Sequence, residues 1–280
     1  MTDPDRAAVD DVVRRALAED LGPHGDVTSQ ATVPARALGA ADLVPRAAGV
    51  VAGLGVAERV FHLASAGRIR FEYGTADSAR VSPGEVLATV RGPVRDLLLA
   101  ERTALNLLGH LSGVATLTRQ WVDAVAGTRA RIRDTRKTLP GLRVLQKYAV
   151  RCGGGFNHRM SLSDAVLVKD NHIAAAGGVL AAFDAVRRAH PELPIEVEAD
   201  TVEQARALID AGAELVLLDN MAPDELRAVV RYAAGRTRLE ASGGLMLANA
   251  REVAETGVDY LAVGALTHSA ANLDIGLDMG

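Results

Sequence analysis

Apolar residues recur at three- and four-residue spacing across Asp5–Glu19, so Val9, Val12, Val13, Ala16 and Leu17 share one face of a predicted helix. Gly22, Pro23 and Gly25 stop it. Leu38–Val44, Ile69–Tyr73 and Val86–Val90 then read as strands, the last entered through the Ser82-Pro83-Gly84 turn. Gly92-Pro93 closes this region, which has no regular repeat. A long helical pattern begins at Val94 and ends near Gly127, with Gly109 or Gly113 as points where it can bend. A domain boundary is expected inside it, near Ser112.

Beyond Gly127 the period changes. Short β-branched runs at Ala130–Asp134, Ala165–Lys169, Ile195–Glu198, Leu215–Leu218, Arg238–Glu240 and Tyr260–Val263 alternate with helical patterns at Leu142–Arg151, Val179–His190, Val202–Ala211, Pro223–Ala234 and Ala248–Thr256. This alternation is the mark of parallel βα units in an α/β fold. Six successive units predict a barrel, complete or nearly so. An open doubly wound sheet is the alternative, because periodicity does not say whether the edges of the sheet meet.

Composition narrows the function. With 280 residues, 49% hydrophobic and 24% charged, the chain buries a sizeable core. Its longest uncharged apolar runs, Ala47–Ala57 and Ile173–Phe183, fall well short of the roughly 20 residues a membrane-spanning helix needs. The N-terminal stretch MTDPDRAAVDDVV is acidic and lacks an apolar signal core, so a cytoplasmic protein without membrane partners is expected. Cys152 is the only cysteine, which excludes an intrachain disulfide and a cysteine-rich zinc site. Aromatic residues make up 3% of the chain, leaving few stacking platforms for nucleic acid.

Charge is segregated. Arg129–Lys169 carries ten Lys/Arg against Asp134 and Asp164, a local net of +8, whereas the whole chain has a net charge of −4. Active sites of parallel barrels lie at the carboxyl ends of the strands. There the sequence places Asp134-Thr135-Arg136-Lys137, Lys169-Asp170-Asn171-His172, Glu198-Ala199-Asp200, Asp219-Asn220, Ser242-Gly243-Gly244 and Gly264-Ala265. Arg and Lys suit carboxylates and phosphates, and Asp and Glu suit Mg²⁺ or sugar hydroxyls. Glycine-rich turns offer backbone N–H groups to a phosphate. A single Arg or Lys at a strand end is ordinarily a solvated surface residue. Several in one pocket repel each other, by about 3 kcal/mol for two charges 5 Å apart at an effective dielectric of 20, unless an anion lies between them.

The residues that carry this chemistry also carry a resemblance. The stretch DTRKTLPGLRVLQKYAVRCGGGFNHRMSLSDAVLVKDNHI, followed by EVEAD, LLDNM, EASGGL and VGALTHS, resembles the quinolinate phosphoribosyltransferase family. ALAEDLGPHGDVTS near the start and LDIGLDM at the end are similar too. The resemblance implies an N-terminal mixed α/β sandwich domain (residues 1–112) and an incomplete or distorted parallel α/β barrel (113–268), with the tail 269–280 returning to the first domain. It implies an enzyme of NAD biosynthesis that joins quinolinate to 5-phosphoribosyl-1-diphosphate, releasing diphosphate and CO₂ and giving nicotinate mononucleotide.

The cofactor implied is Mg²⁺, with no organic cofactor. Arg136, His158, Arg159 and Lys169 would line the quinolinate pocket with Lys137 beside them, and Lys169 is also the candidate for protonating the ring after decarboxylation. Glu198 and Asp219 would meet the ribose hydroxyls and magnesium, while Ser242, Gly243, Gly244, Gly264 and His268 would surround the phosphate end. Arg102 would arrive from a neighbouring subunit of a homodimer or an assembly of dimers.

Other signals are discounted. Gly53-Leu54-Gly55 begins like a dinucleotide loop but lacks the surrounding strand–turn–helix unit. Arg143, Lys147 and Arg151 read as a solvated helix edge. His24, His62, His110 and His190 lack metal-ligand spacing, Cys152 has no partner base, and His172 either orients the loop after Lys169 or touches substrate. Two rival functions remain open at this level: a Schiff-base aldolase using Lys169, and a related barrel that binds an anion without catalysis, in a molybdenum-associated role for instance.

Overall fold

The structure is a computed structural model and describes residues 4–280; Met1–Asp3, where the acidic N-terminal stretch begins, lie outside it. The chain forms two compact units. The first comprises Met1–Arg119, Thr138–Gly154 and Leu266–Gly280, and the second Gln120–Lys137 and Gly155–Ala265.

The elements of the first half are α1 (Arg6–Leu21), α2 (Val27–Thr32), β1 (Leu38–Pro45), β2 (Gly49–Val50), α3 (Leu54–Ala64), β3 (Arg70–Tyr73), β4 (Arg80–Val81), β5 (Ala88–Pro93) and α4 (Val94–Ala124). Asp5 caps α1 by accepting from the Ala8 N–H, and Val9, Val12, Val13 and Leu17 are its buried face. That face packs against α3, which buries Leu54, Val56, Ala57, Val60 and Phe61. Gly53-Leu54-Gly55 is therefore the start of α3, and the Gly53 and Leu54 N–H groups donate to Asp77 rather than standing open to a dinucleotide.

The later elements are β6 (Arg131–Arg133), α5 (Arg143–Cys152), β7 (Val166–Val168), α6 (Asp170–Ala176), α7 (Val179–Ala189), β8 (Ile195–Ala199), α8 (Val202–Asp210), β9 (Leu215–Asp219), α9 (Pro223–Ala233), β10 (Arg238–Ser242), α10 (Ala250–Ala254), β11 (Tyr260–Ala262), α11 (Ala265–His268) and β12 (Ile275–Met279). β12 pairs antiparallel with β1, so the sheet of the first unit runs β12-β1-β5-β3 with every ladder antiparallel. Helix α4 is unbroken from Val94 to Ala124. Gly109 and Gly113 have a packing role: a Cβ at Gly113 would lie 2.0 Å from the Ala271 carbonyl oxygen, and Leu273 N–H donates to the Gly109 carbonyl. The chain leading into β12 crosses the helix where side chains are missing.

The second unit holds six parallel strands in the order β6-β11-β10-β9-β8-β7. This is a barrel-like sheet with a seam. Among the described residues β6 pairs with β11 and not with β7, and only a single bridge from Arg133 to Phe156 extends its free edge. Strand alternation puts Glu196 and Glu198 on one face of β8, and Glu240 and Ser242 on one face of β10. Apolar Val197, Ala199, Leu239 and Ala241 occupy the opposite faces and are buried.

The charged face expected on α5 is not solvated throughout. Lys147 is fully buried, Arg143 donates to Thr138 Oγ1, and Arg151 stacks over Tyr148. The reason is position: α5 packs within the first compact unit, so its outward spacing of cations does not correspond to an edge facing water.

Candidate active site

Asp134, immediately after β6, organises one side of the barrel end. Its fully buried carboxylate accepts the His158 backbone N–H at 2.8 Å and the Asn157 side-chain amide at 2.5 Å. Two hydrogen bonds thus tether the loop that carries Asn157, His158 and Arg159 to the end of a barrel strand. Arg159 then donates through Nη1 to the Ala165 carbonyl, and its backbone N–H donates to His158 Nδ1 at 2.7 Å.

Arg136 lies close enough to Arg159 to disfavour its charge. Burial, followed by the Arg136 guanidinium, pulls Arg159 below the usual arginine range. Both side chains keep a buried Nε–H with no acceptor. Buried unpaired donors on like charges are costly, and an anion between them removes both penalties.

The acids come from the central strands. Glu198, Asp200 and Asp219 each present an oxygen within 4.8 Å of the others. Hard oxygen donors at this spacing suit Mg²⁺ or a pair of hydroxyls. Lys169 Nζ stands 3.1 Å from Glu198 Oε2, bridging the cationic and acidic groups. This half-exposed, paired ammonium lacks the dry pocket that a Schiff-base lysine requires. His172 Nδ1 accepts the Lys169 backbone N–H at 2.9 Å, the loop-orienting contact weighed from sequence.

The glycine turn is built to approach Asp219. Asn220 adopts a left-handed φ of 54°, its backbone N–H donates to the Ser242 carbonyl, and its side chain donates to Asp219. Gly243 (φ 83°) and Gly244 (φ 58°) follow, and a Cβ at Gly243 would lie 2.2 Å from Asn220 Oδ1. No other residue fits Gly243 without displacing that loop. Gly264 follows β11 in the corresponding position.

Not every expected residue falls in this group. Lys137 is exposed beside it in sequence, with its backbone N–H on Thr135 Oγ1. Arg102, exposed on α4 with Glu101 3.9 Å away, and His268, exposed at the end of α11 with Nδ1 2.6 Å from Ser269 Oγ, belong to the first compact unit.

Sequence reasoning placed Asp200 at a strand end without giving it a role of its own, and missed Glu196, Glu240 and Arg133, which form a buried cluster with His158. His158 Nε2 lies 2.8 Å from Glu196 and 3.7 Å from Glu240, and Arg133 pairs with Glu240 while stacking over Tyr260. The available signal was a glutamate flanked by apolar residues in mid-strand, Ile-Glu-Val in IEVEA and Leu-Glu-Ala in RLEAS. Burial pushes both Glu196 and Glu240 up to about 7, and for Glu240 the neighbouring Glu196 adds to the effect.

That shift has a sign. Between pH ~4.5 and ~7 the folded protein retains protons that unfolded carboxyls have released, so stability falls as pH rises through this window. The ligand-free protein is expected to lose on the order of 1–3 kcal/mol per group from this source. Thermal melts between pH 5 and 8 should show Tm declining with pH, and Glu240→Gln should flatten the decline. An unchanged slope in the variant would remove the pair as its source.

Comparisons with known proteins show the family. Residues 26–112 match the model of the quinolinate phosphoribosyl transferase N-terminal domain, and residues 114–278 that of the C-terminal domain. The chain is 53% identical to the nicotinate-nucleotide pyrophosphorylase [carboxylating] of Mycobacterium leprae, over 100% of both chains. The crystal structure of NadC from Streptococcus pyogenes superposes with a TM-score of 0.96 at 38% identity, covering 100% of this chain and 99% of that one. The nicotinate-nucleotide pyrophosphorylase from Francisella tularensis gives 0.94 at 35% identity, covering 100% of each.

Proposed function

The chain belongs to the quinolinate phosphoribosyltransferase family, and from that membership we propose how its residues divide the work. The reaction joins quinolinate to 5-phosphoribosyl-1-diphosphate, forming nicotinate mononucleotide, diphosphate and CO₂ for NAD synthesis. Both substrates are anions. The observation that carries the assignment is the pair of half-buried arginines, Arg136 and Arg159, each with a buried, unpaired Nε–H, set against the acids Glu198, Asp200 and Asp219.

Quinolinate binds with its two carboxylates on Arg136, Arg159 and Lys169, with Lys137 adding to the field. Glu198 and Asp219 take the ribose hydroxyls and, with Asp200, have the oxygen donors to hold Mg²⁺. Held by these acids, Mg²⁺ would supply charge neutralisation for the diphosphate. Ser242 and the N–H groups of Gly243, Gly244 and Gly264 bind the phosphate end. The chain's own contribution is mainly electrostatic and positional.

The C1–O bond of the ribose breaks with its electron pair leaving on diphosphate, and the acids stabilise the developing oxocarbenium charge. The pyridine nitrogen forms the new bond to C1. The resulting pyridinium accepts the pair left behind when the adjacent carboxylate departs as CO₂, and Lys169 is the candidate to return a proton to that ring carbon.

Incubation with quinolinate, phosphoribosyl diphosphate and Mg²⁺, followed by mass spectrometry, tests the reading. Nicotinate mononucleotide should form from quinolinate and not from nicotinate. Omitting the metal or adding a chelator should abolish turnover. No helix among the described residues is long and apolar enough to cross a membrane.

Arg102 is assigned to the pocket of a second copy of the chain, supported by its exposure on α4. Arg102→Ala should reduce turnover without lowering Tm. Mixed with Lys169→Ala, it should recover part of the lost activity, because a hybrid dimer then contains one intact site. Absence of recovery in verified hybrids would place Arg102 outside the neighbouring pocket.

A further inference from the structure

Asn220 follows Asp219 at the end of β9, where Asp219 stands in register with Ser242 of the neighbouring strand β10. Three of its groups are engaged. The side-chain Nδ2 donates to Asp219 Oδ2 at 2.7 Å, and the backbone N–H donates to the Ser242 carbonyl at 2.9 Å. Oδ1 fills the space that a side chain on Gly243 would need, 2.2 Å from the position of its Cβ. We propose that Asn220 is a positioning residue for phosphoribosyl diphosphate: it sets the plane of the Asp219 carboxylate and seats the Ser242–Gly244 turn beside it, so that the acid for the ribose and the N–H groups for the phosphate keep a fixed spacing.

The residue type suits this task. A φ of 54° is unfavourable for most residues that carry a Cβ, and asparagine is among the few that adopt it. Glycine meets the same backbone demand but has no amide. Aspartate has the size, yet an ionised carboxylate only accepts hydrogen bonds and repels Asp219. Asparagine therefore combines the left-handed backbone with a donor at the right reach. Its amide holds one Asp219 oxygen and leaves the other available to a hydroxyl or a cation.

This positioning role rests on the assignment of Asp219 and the glycine turn to phosphoribosyl diphosphate, and the test separates the two. Affinities for quinolinate and for phosphoribosyl diphosphate with Mg²⁺ are read by calorimetry, and KM and kcat by steady-state kinetics. The variants are Asn220→Gly, Asn220→Asp, Gly243→Ala, Asp219→Ala and the double variant joining Asn220→Gly with Gly243→Ala. Asn220→Gly keeps the backbone and removes the amide, so phosphoribosyl diphosphate should bind about tenfold more weakly, the scale of one lost charge-assisted hydrogen bond. Quinolinate affinity should change by less than about twofold. Asn220→Asp adds a like charge and should lose at least as much phosphoribosyl diphosphate affinity. Gly243→Ala should weaken phosphoribosyl diphosphate about 10²-fold through the overpacked contact. Its cost should be smaller once Asn220→Gly has vacated that space, so the two losses should fall short of additive.

Unaltered phosphoribosyl diphosphate affinity in Asn220→Gly overturns the proposal, because the residue then serves the backbone conformation alone. Equal losses for both substrates overturn it too, as general damage to the barrel end, and so does full additivity in the double variant. Should Asn220→Gly fail to fold, Asn220→Asp decides, and unaltered phosphoribosyl diphosphate affinity there overturns the proposal. If Asp219→Ala itself leaves phosphoribosyl diphosphate binding and turnover intact, the assignment of Asp219 fails and the positioning role fails with it. If Asp219→Ala loses them and Asn220→Gly does not, the positioning role alone is lost.

Discussion

Arg159→Ala is expected to raise the quinolinate KM by about 10²–10³-fold, the effect of removing a buried, charge-assisted pair of hydrogen bonds worth roughly 3–4 kcal/mol. The KM for phosphoribosyl diphosphate should change little, because the acids and the glycine turn stay in place. Lysine at this position should not rescue binding, since an ammonium cannot reproduce the planar fork of a guanidinium. Stability should respond differently from activity. In the ligand-free protein Arg159 is burdened by burial and by Arg136, so its removal relieves a like-charge contact. Tm is therefore expected to stay level or rise while binding collapses. A fall in Tm parallel to the loss of affinity would mean that Arg159 holds the loop together and does not chiefly bind substrate.

Glu198→Ala and Asp219→Ala should act on the other half of the reaction. Each is expected to lower kcat by roughly 10²–10³-fold, the usual scale for removing a group that stabilises developing charge. Quinolinate binding should survive. In Glu198→Ala it should even tighten slightly, because Lys169 loses the carboxylate 3.1 Å away and becomes free for the substrate. Glu198→Gln, which still accepts a hydrogen bond from Lys169 but carries no charge, should lose turnover nearly as fully. Calorimetry that found quinolinate binding abolished and phosphoribosyl diphosphate binding intact would reverse the assigned roles.

Much of this was legible along the chain. The six β-branched runs after Gly127 fall on β6 to β11 within two residues at either end, because buried parallel strands leave a period that surface loops do not disturb. Placing the chemistry at their carboxyl ends brought out Lys169, Glu198, Asp219 and Ser242 together. The run of ten cations was a less direct guide. Arg133, Arg136, Arg159 and Lys169 reach the site of the second unit, whereas Arg143, Lys147 and Arg151 ride on α5 in the first. Proximity in sequence gathered residues that the fold separates.

The opposite error hid the cluster beneath His158. Glu196 and Glu240 lie on β8 and β10, 44 positions apart, and neither strand's own pattern shows that its glutamate meets the other. Their meeting depends on the order β11-β10-β9-β8 and on the curvature that brings non-adjacent strands within reach, neither of which leaves a trace in local periodicity. Local order and side-chain chemistry are properties of neighbouring residues, so the amino-acid sequence alone determined the βα alternation, the anion-binding composition and the family motifs. Which strand forms the open edge, which cations share a pocket and which acids meet beneath His158 are relations between distant residues. The folded barrel decided these, because only there do burial and proximity make one arrangement of charges cheaper than the rest.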